Sequence, residues 1–188
     1  RQYELALELT RLWLEVEPGS SKARQTESTL LLLSNRLDDL APQLASLLEQ
    51  DKANVAGNLM HLNRMLNRHS DKKAVQRLID RVAKPYDELP EAHFAMGLAA
   101  ANADDLMRAQ NEFQKALQQR PDWEAAELAY AQLLARTSPA GAIESLNEFL
   151  ARKPEARDAR LTLARLLISE RNYDAARAQF DRLLKDSP

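Results

Sequence analysis

The chain has 188 residues, 45% of them hydrophobic and 29% charged, enough apolar material for one or two globular domains and too much for a disordered chain. With 26 Lys and Arg against 28 Asp and Glu, the net charge of −2 gives no long-range field to gather phosphates or an anionic bilayer, which argues against nucleic acid and membrane surfaces as partners. The absence of cysteine removes disulfides, thiolate metal sites and thiol nucleophiles together, while leaving the compartment open.

Four glycines, eight prolines and 5% aromatic residues, set among many Ala and Leu, favour helix and leave little for a large sheet. No apolar run approaches the roughly 18 residues that a membrane helix needs, so no direct membrane insertion is expected. A first residue Arg1 in place of Met is expected of a piece of a longer protein.

The first predicted element is a helix over Arg1 to Glu17, in which Ala6, Thr10, Trp13 and Pro18 stand at steps of four, three and five residues. Helical segments follow in pairs over 21–54 and 55–89, marked by Leu40, Leu44 and Leu47 and then by Ala74 and Leu78. The stretch 90–123 carries Gly97, Ala109, Phe113, Ala116 and Pro121 at steps of 12, 4, 3 and 5. The same grid fits Ala142, Leu146, Phe149 and Pro154 in 124–156, and Ala164, Ala176, Phe180, Leu183 and Pro188 in 157–188. The equivalent second-helix position, Ala6, Leu40, Ala74, Ala109, Ala142 and Ala176, recurs after 34, 34, 35, 33 and 34 residues. The entry to that helix also repeats, Arg1-Gln2-Tyr3-Glu4-Leu5-Ala6 matching Arg171-Asn172-Tyr173-Asp174-Ala175-Ala176.

Small residues at Gly97, Ala109 and Ala116 let two antiparallel helices approach closely, and Phe113 and Phe180 fill the space between hairpins. Pro121 and Pro154 end one pair and start the next, and Asp104 and Ser138 are placed to cap second helices. Charge is uneven along this frame. Seven bases face two acids between Arg64 and Lys84, and nine acids face three bases between Pro85 and Ala131, which reads as solvated helix faces.

The grid resembles the tetratricopeptide repeat over essentially the whole chain, most clearly in the three C-terminal copies. The resemblance implies an all-α fold, a right-handed α-solenoid of antiparallel helix pairs. It implies a single array over 1–188: the second helix of a truncated repeat in 1–20, then five repeats at 21–54, 55–89, 90–123, 124–156 and 157–188. The copies near Ser21 and Val55 depart from it, lacking the small residue and the closing proline, and His93 and Arg160 stand where the family carries aromatics. Apolar ends that begin on a second helix imply further protein at both ends.

No Gly-rich phosphate loop, metalloprotease HExxH, GxSxG or paired catalytic carboxylates occur, so no enzyme activity and no cofactor are expected. His93 reads as packing between helices. His61 and His69 lie two helical turns apart with no third ligand at metal spacing, so no metal is expected. Trp13, Trp123, Tyr130 and Tyr173 read as packing along the grid, too sparse for a platform that stacks nucleic acid bases.

In the family, the first helix of each pair lines a concave groove. Carried onto this sequence, the groove positions are Leu59, Met60, Asn63 and Asn67; Phe94, Leu98 and Asn102; Leu128, Gln132 and Arg136; and Leu161, Arg165 and Ser169. An extended peptide offers one amide donor and one carbonyl acceptor per residue, and primary amides satisfy both. Asn63, Asn67, Asn102 and Gln132 could therefore hold a peptide backbone without reading its sequence, while Leu59, Met60, Phe94, Leu98 and Leu128 take apolar side chains. The Lys, Asn and Arg clamp of the chaperone-tail receptors is replaced by Gln25, Thr29, Met60, Glu91 and Ala95, which disfavours that ligand.

Leu12-Trp13-Leu14-Glu15, Pro90-Glu91-Ala92-His93-Phe94-Ala95 and Tyr173-Asp174-Ala175-Ala176-Arg177 resemble the long tetratricopeptide lipoproteins of the proteobacterial outer membrane. That likeness implies a periplasmic adaptor, anchored through a part outside this sequence, that presents substrates to a protease; a cytoplasmic location is the alternative. The expected function is a scaffold binding proteins or extended segments. The alternatives are a structural assembly subunit of an envelope complex, stacking on identical copies or on that complex, and a tetratricopeptide segment of a polysaccharide export protein.

Overall fold

The leucine- and alanine-rich segments fold into eleven α-helices with no strand among the described residues of a computed structural model, which describes residues 2–185. Arg1 and Pro188, the first residue of the opening match and the last closing proline of the grid, lie outside them. The helices are α1 (Gln2–Val16), α2 (Ser21–Leu33), α3 (Leu37–Gln50), α4 (Val55–Leu66), α5 (Lys72–Ala83), α6 (Pro90–Asn102), α7 (Leu106–Gln119), α8 (Glu124–Thr137), α9 (Pro139–Arg152), α10 (Arg157–Ser169) and α11 (Tyr173–Lys185). They form an α-solenoid architecture of antiparallel helix pairs divided between two compact units, one through Tyr86 and one from Asp87 onward.

Three of the turns within hairpins share one device. Asn35, Asp104 and Arg171 take positive φ of 59°, 63° and 60°. The amide after each reaches back to a carbonyl near the end of the first helix: Arg36 to Leu31 at 2.8 Å, Asp105 to Ala100 at 2.9 Å and Asn172 to Leu167 at 2.8 Å. This closes the first helix and frees the chain to reverse. Asp104 is therefore the left-handed residue of its turn, and the cap of α7 is Asp105, which accepts the Arg108 amide at 3.3 Å. Ser138 does cap α9, accepting from Gly141 N–H at 3.2 Å ahead of Pro139.

In the first unit α1 packs on α2, and α3 packs chiefly against α5. Leu31, Leu37, Leu40, Leu59, Leu78 and Ile79 are fully buried in the interior of this unit. The α4–α5 pair is packed less closely than α6–α7, and Leu62 stands where α6 has Gly97. Asp71 caps α5 through the Ala74 amide and also accepts from Asn35 Nδ2 at 3.1 Å. Those two bonds, the backbone one foremost, hold its carboxyl below the ordinary value.

In the second unit the hairpins are close and regular: α6 on α7, α8 on α9 and α10 on α11, with α8 touching both α6 and α10. A Cβ on Gly97 would lie 2.7 Å from Cδ1 and Cε1 of Phe113, so only glycine admits this ring. Ala131, Phe149 and Leu163 are fully buried in a continuous cluster through α8, α9 and α10.

Candidate functional site

The first helices of the second unit, α6, α8 and α10, lie side by side, so equivalent positions on them share one face. Positions four residues apart form one stripe on each helix. Exposure rises along each stripe: Phe94 is buried, Leu98 half-buried and Asn102 exposed; Leu128 is half-buried, Gln132 and Arg136 exposed; Leu161 is half-buried, Arg165 and Ser169 exposed. The accessible strip thus consists of leucine side walls giving way to amide and guanidinium groups. Arg136 is held there by Asp104 in the preceding turn, Nη2 to Oδ1 at 2.7 Å.

Three of the sequence-assigned groove residues are not surface residues. Leu59 is fully buried and Asn63 is 5% exposed, both in the interior of the first unit. Phe94 is 5% exposed because the following hairpin supplies Trp123, with ring centroids 4.7 Å apart, and α7 supplies Phe113 at 5.8 Å. Arg120 also packs on this ring, its guanidinium 4.8 Å from the Trp123 centroid and 2.7 Å from Glu91. Phe94 therefore joins hairpins. Met60 is half-buried, and Asn67 is exposed at the end of α4, its carbonyl accepting from Lys72 Nζ.

A row of polar bridges inside the second unit was not foreseen from the sequence. The fourth residue of each first helix meets a residue 18 or 19 positions on in its partner helix. His93 Nδ1 and Glu112 Oε2 share a hydrogen bond at 2.7 Å, and Lys115 Nζ approaches the other Glu112 oxygen at 3.4 Å. Ser145 Oγ donates to Glu127 Oε1 at 2.6 Å. Arg160 donates to Gln179 Oε1 at 3.1 Å and to the Pro154 carbonyl. All of His93, Glu112, Glu127 and Arg160 are buried, so each needs its partner. Desolvation raises the Glu127 carboxyl above its ordinary value, against smaller opposing effects of Ser145 and Arg152. The signal available in the sequence was a polar residue in place of an aromatic with a second polar residue one hairpin turn away, three times in succession.

The other expected packing residues divide. Trp123 and Tyr130 are partly buried, Tyr130 accepting from Gln114 Nε2 at 2.9 Å, whereas Tyr173 is 62% exposed and packs little. Trp13 is 37% exposed and donates to Glu17 at 3.0 Å. Phe180 is half-buried. His61 is exposed and His69 accepts the Asp71 amide. Among the described residues no group of three or more His, Cys, Asp or Glu is arranged to hold a metal, and no helix is long and apolar enough to cross a membrane.

Residues 133–188 match the family model described as tetratricopeptide repeat. Solved structures extend the likeness along the chain. The crystal structure of MamA superposes with TM-score 0.59 at 16% identity, covering 84% of this chain and 92% of that one. The chain has the tetratricopeptide-repeat fold. YrrB, described as a TPR protein with an unusual peptide-binding site, gives TM-score 0.56 at 15% identity over 96% of this chain and 93% of its own. PilF of Pseudomonas aeruginosa gives 0.51 at 18% over 99% and 86%. No curated protein matches the chain in sequence. At these identities the tetratricopeptide-repeat structures speak to the fold alone, and the function must be argued from the surface.

Proposed function

We propose that the chain is a non-catalytic scaffold that holds extended segments of partner proteins on the face formed by α6, α8 and α10. The observation that carries this reading is the accessible strip itself: Leu98, Leu128 and Leu161 half-buried beside exposed Asn102, Gln132 and Arg165 on three adjacent helices. Half-buried leucines take apolar side chains at little further ordering cost. The amides and guanidinium satisfy backbone carbonyls, or carboxylates, that would otherwise lose water. The peptide-binding site of YrrB supports the same use of the fold. An adaptor in the bacterial envelope that presents bound segments to a protease is the specific role the sequence resemblance implies, with a periplasmic location.

The test uses a permanently unfolded probe, fluorescein-labelled casein, titrated by anisotropy against the full chain. Saturable binding is expected, weakened at least about tenfold when Asn102, Gln132 and Arg165 all become Ala, three exposed changes that leave the fold intact. Equal binding by that variant overturns the reading.

Self-assembly is a second reading, favoured by α1, where Leu5, Leu9, Leu12 and Val16 are 59%, 59%, 55% and 81% exposed. It predicts a molecular mass by light scattering that rises with concentration in the parent chain and stays monomeric when Leu9 and Val16 become Lys. A monomer at every concentration contradicts it.

A further inference from the structure

The three first helices of the second unit carry one arrangement, a half-buried leucine with an exposed polar side chain four residues on: Leu98 and Asn102 on α6, Leu128 and Gln132 on α8, Leu161 and Arg165 on α10. Leu128 and Leu161 hold the same place in their repeats, and so do Gln132 and Arg165. Leu98 stands one turn further along α6, so the row crosses that helix obliquely.

The backbone of α8 comes within 8 Å of both α6 and α10 between Cα atoms. Helices packed this closely have axes about 8 to 10 Å apart, and that is the step from Leu128 to Leu161. The step selects among backbone conformations of a bound segment. A β-strand advances about 3.3 Å per residue and turns successive side chains to opposite faces, so residues on one face recur at about 6.6 or 13 Å and miss it. Polyproline II has three residues per turn and a rise of about 3.1 Å, so every third residue returns to one face after about 9.3 Å. An α-helix also returns, after seven residues and about 10.5 Å.

The polar side chains separate these last two. A helix bonds its backbone to itself, whereas polyproline II makes no internal hydrogen bond and leaves its carbonyls open. Gln132 and Arg165 are committed to no other group among the described residues, and no acid stands within four residues of either. Both donate N–H groups, which suits a backbone rich in free acceptors.

We propose that the α6–α8–α10 face selects segments in the polyproline II conformation that carry an apolar residue at every third position, with their carbonyls accepting from Gln132 and Arg165. This rests on the reading that the face holds extended segments, and narrows it to one backbone geometry. Leu128 and Leu161 take side chains from successive turns, and Leu98 takes one from the turn beyond. Proline at the intervening positions removes no hydrogen bond that the row makes, and it orders the segment before binding.

The probes are two fluorescein-labelled peptide amides of one composition, Leu-Pro-Pro-Leu-Pro-Pro-Leu-Pro-Pro and Leu-Pro-Leu-Pro-Leu-Pro-Pro-Pro-Pro, titrated by anisotropy against the full chain. Both are polyproline II, and only the first places its leucines on one face. Saturable binding of the first is expected, about tenfold tighter than the second, displaced by unlabelled casein and weakened about fivefold or more by Gln132→Ala with Arg165→Ala. Both changes are exposed, so circular dichroism should match the parent, and Asn147→Ala on α9 should leave binding unchanged. Equal affinity for the two peptides, tighter binding of a helical peptide with Leu at every seventh position, or no saturable binding of the first peptide each overturns the proposal. Casein that still binds and responds to the groove variant while the peptides bind equally overturns this inference and leaves the scaffold reading standing; casein indifferent to that variant overturns both.

Discussion

His93 on α6 and Glu112 on α7 meet inside the second unit, Nδ1 to Oε2 at 2.7 Å, with the two residues 6% and 5% exposed. The pair fastens two helices at a level where an aromatic contact would serve in the consensus repeat. Glu112→Ala should cost about 2 to 4 kcal/mol, because it leaves a buried imidazole without its acceptor and opens a cavity. His93→Leu with Glu112→Leu should cost less than Glu112→Ala alone, since the double change removes both polar groups. Urea unfolding of the set measures the coupling.

Gly97 and Phe113 depend on each other in the same hairpin. Gly97→Ala gains about 1 kcal/mol of helix propensity. The added methyl must displace a ring 2.7 Å away, at a cost of about 1 to 3 kcal/mol. A net loss of thermal stability is expected. Phe113→Leu introduced together with Gly97→Ala should recover part of it, so the two changes are non-additive.

Glu127 gives the chain a pH dependence of definite sign. Burial holds its carboxyl above the ordinary 4.5, so the native state keeps that proton to higher pH than the unfolded chain does. Its contribution to stability therefore falls as pH rises from about 4.5 through the raised value and is level beyond it. Glu127→Gln removes this slope. Urea midpoints of both proteins over about pH 4 to 8 should show the parent losing ground to the variant as pH rises; a difference that stays constant contradicts this.

Tyr173 and Met107 are 62% and 86% exposed, and changing either to Ser should move stability by less than about 0.5 kcal/mol. Phe149→Ala, at a fully buried position, should cost about 3 to 5 kcal/mol in the same thermal scan.

The repeat frame was legible because close helix crossing forces small residues to fixed places, and Ala109, Phe113 and Ala116 advertise the spacing. Surface was harder to read. Phe94 occupies a groove position by register but is buried by Trp123 of the next hairpin, and Asn63 is buried in the interior of the first unit. Whether a position is free depends on what the next hairpin places over it, and that is not a local property of the sequence. The polar row of His93, Glu127 and Arg160 was visible only as departures from an aromatic pattern; its meaning lay in the partners Glu112, Ser145 and Gln179 on the paired helices.

Binding of extended segments to the α6–α8–α10 face is tested most directly by crosslinking. A photoreactive side chain is placed at exposed Gln132 on that face and, separately, at exposed Asn147 on α9, and each protein is irradiated with unfolded casein. Saturable crosslinking from 132, suppressed by excess unlabelled casein and absent from 147, is the predicted result. Equal crosslinking from both positions, or crosslinking from 147 alone, would contradict it.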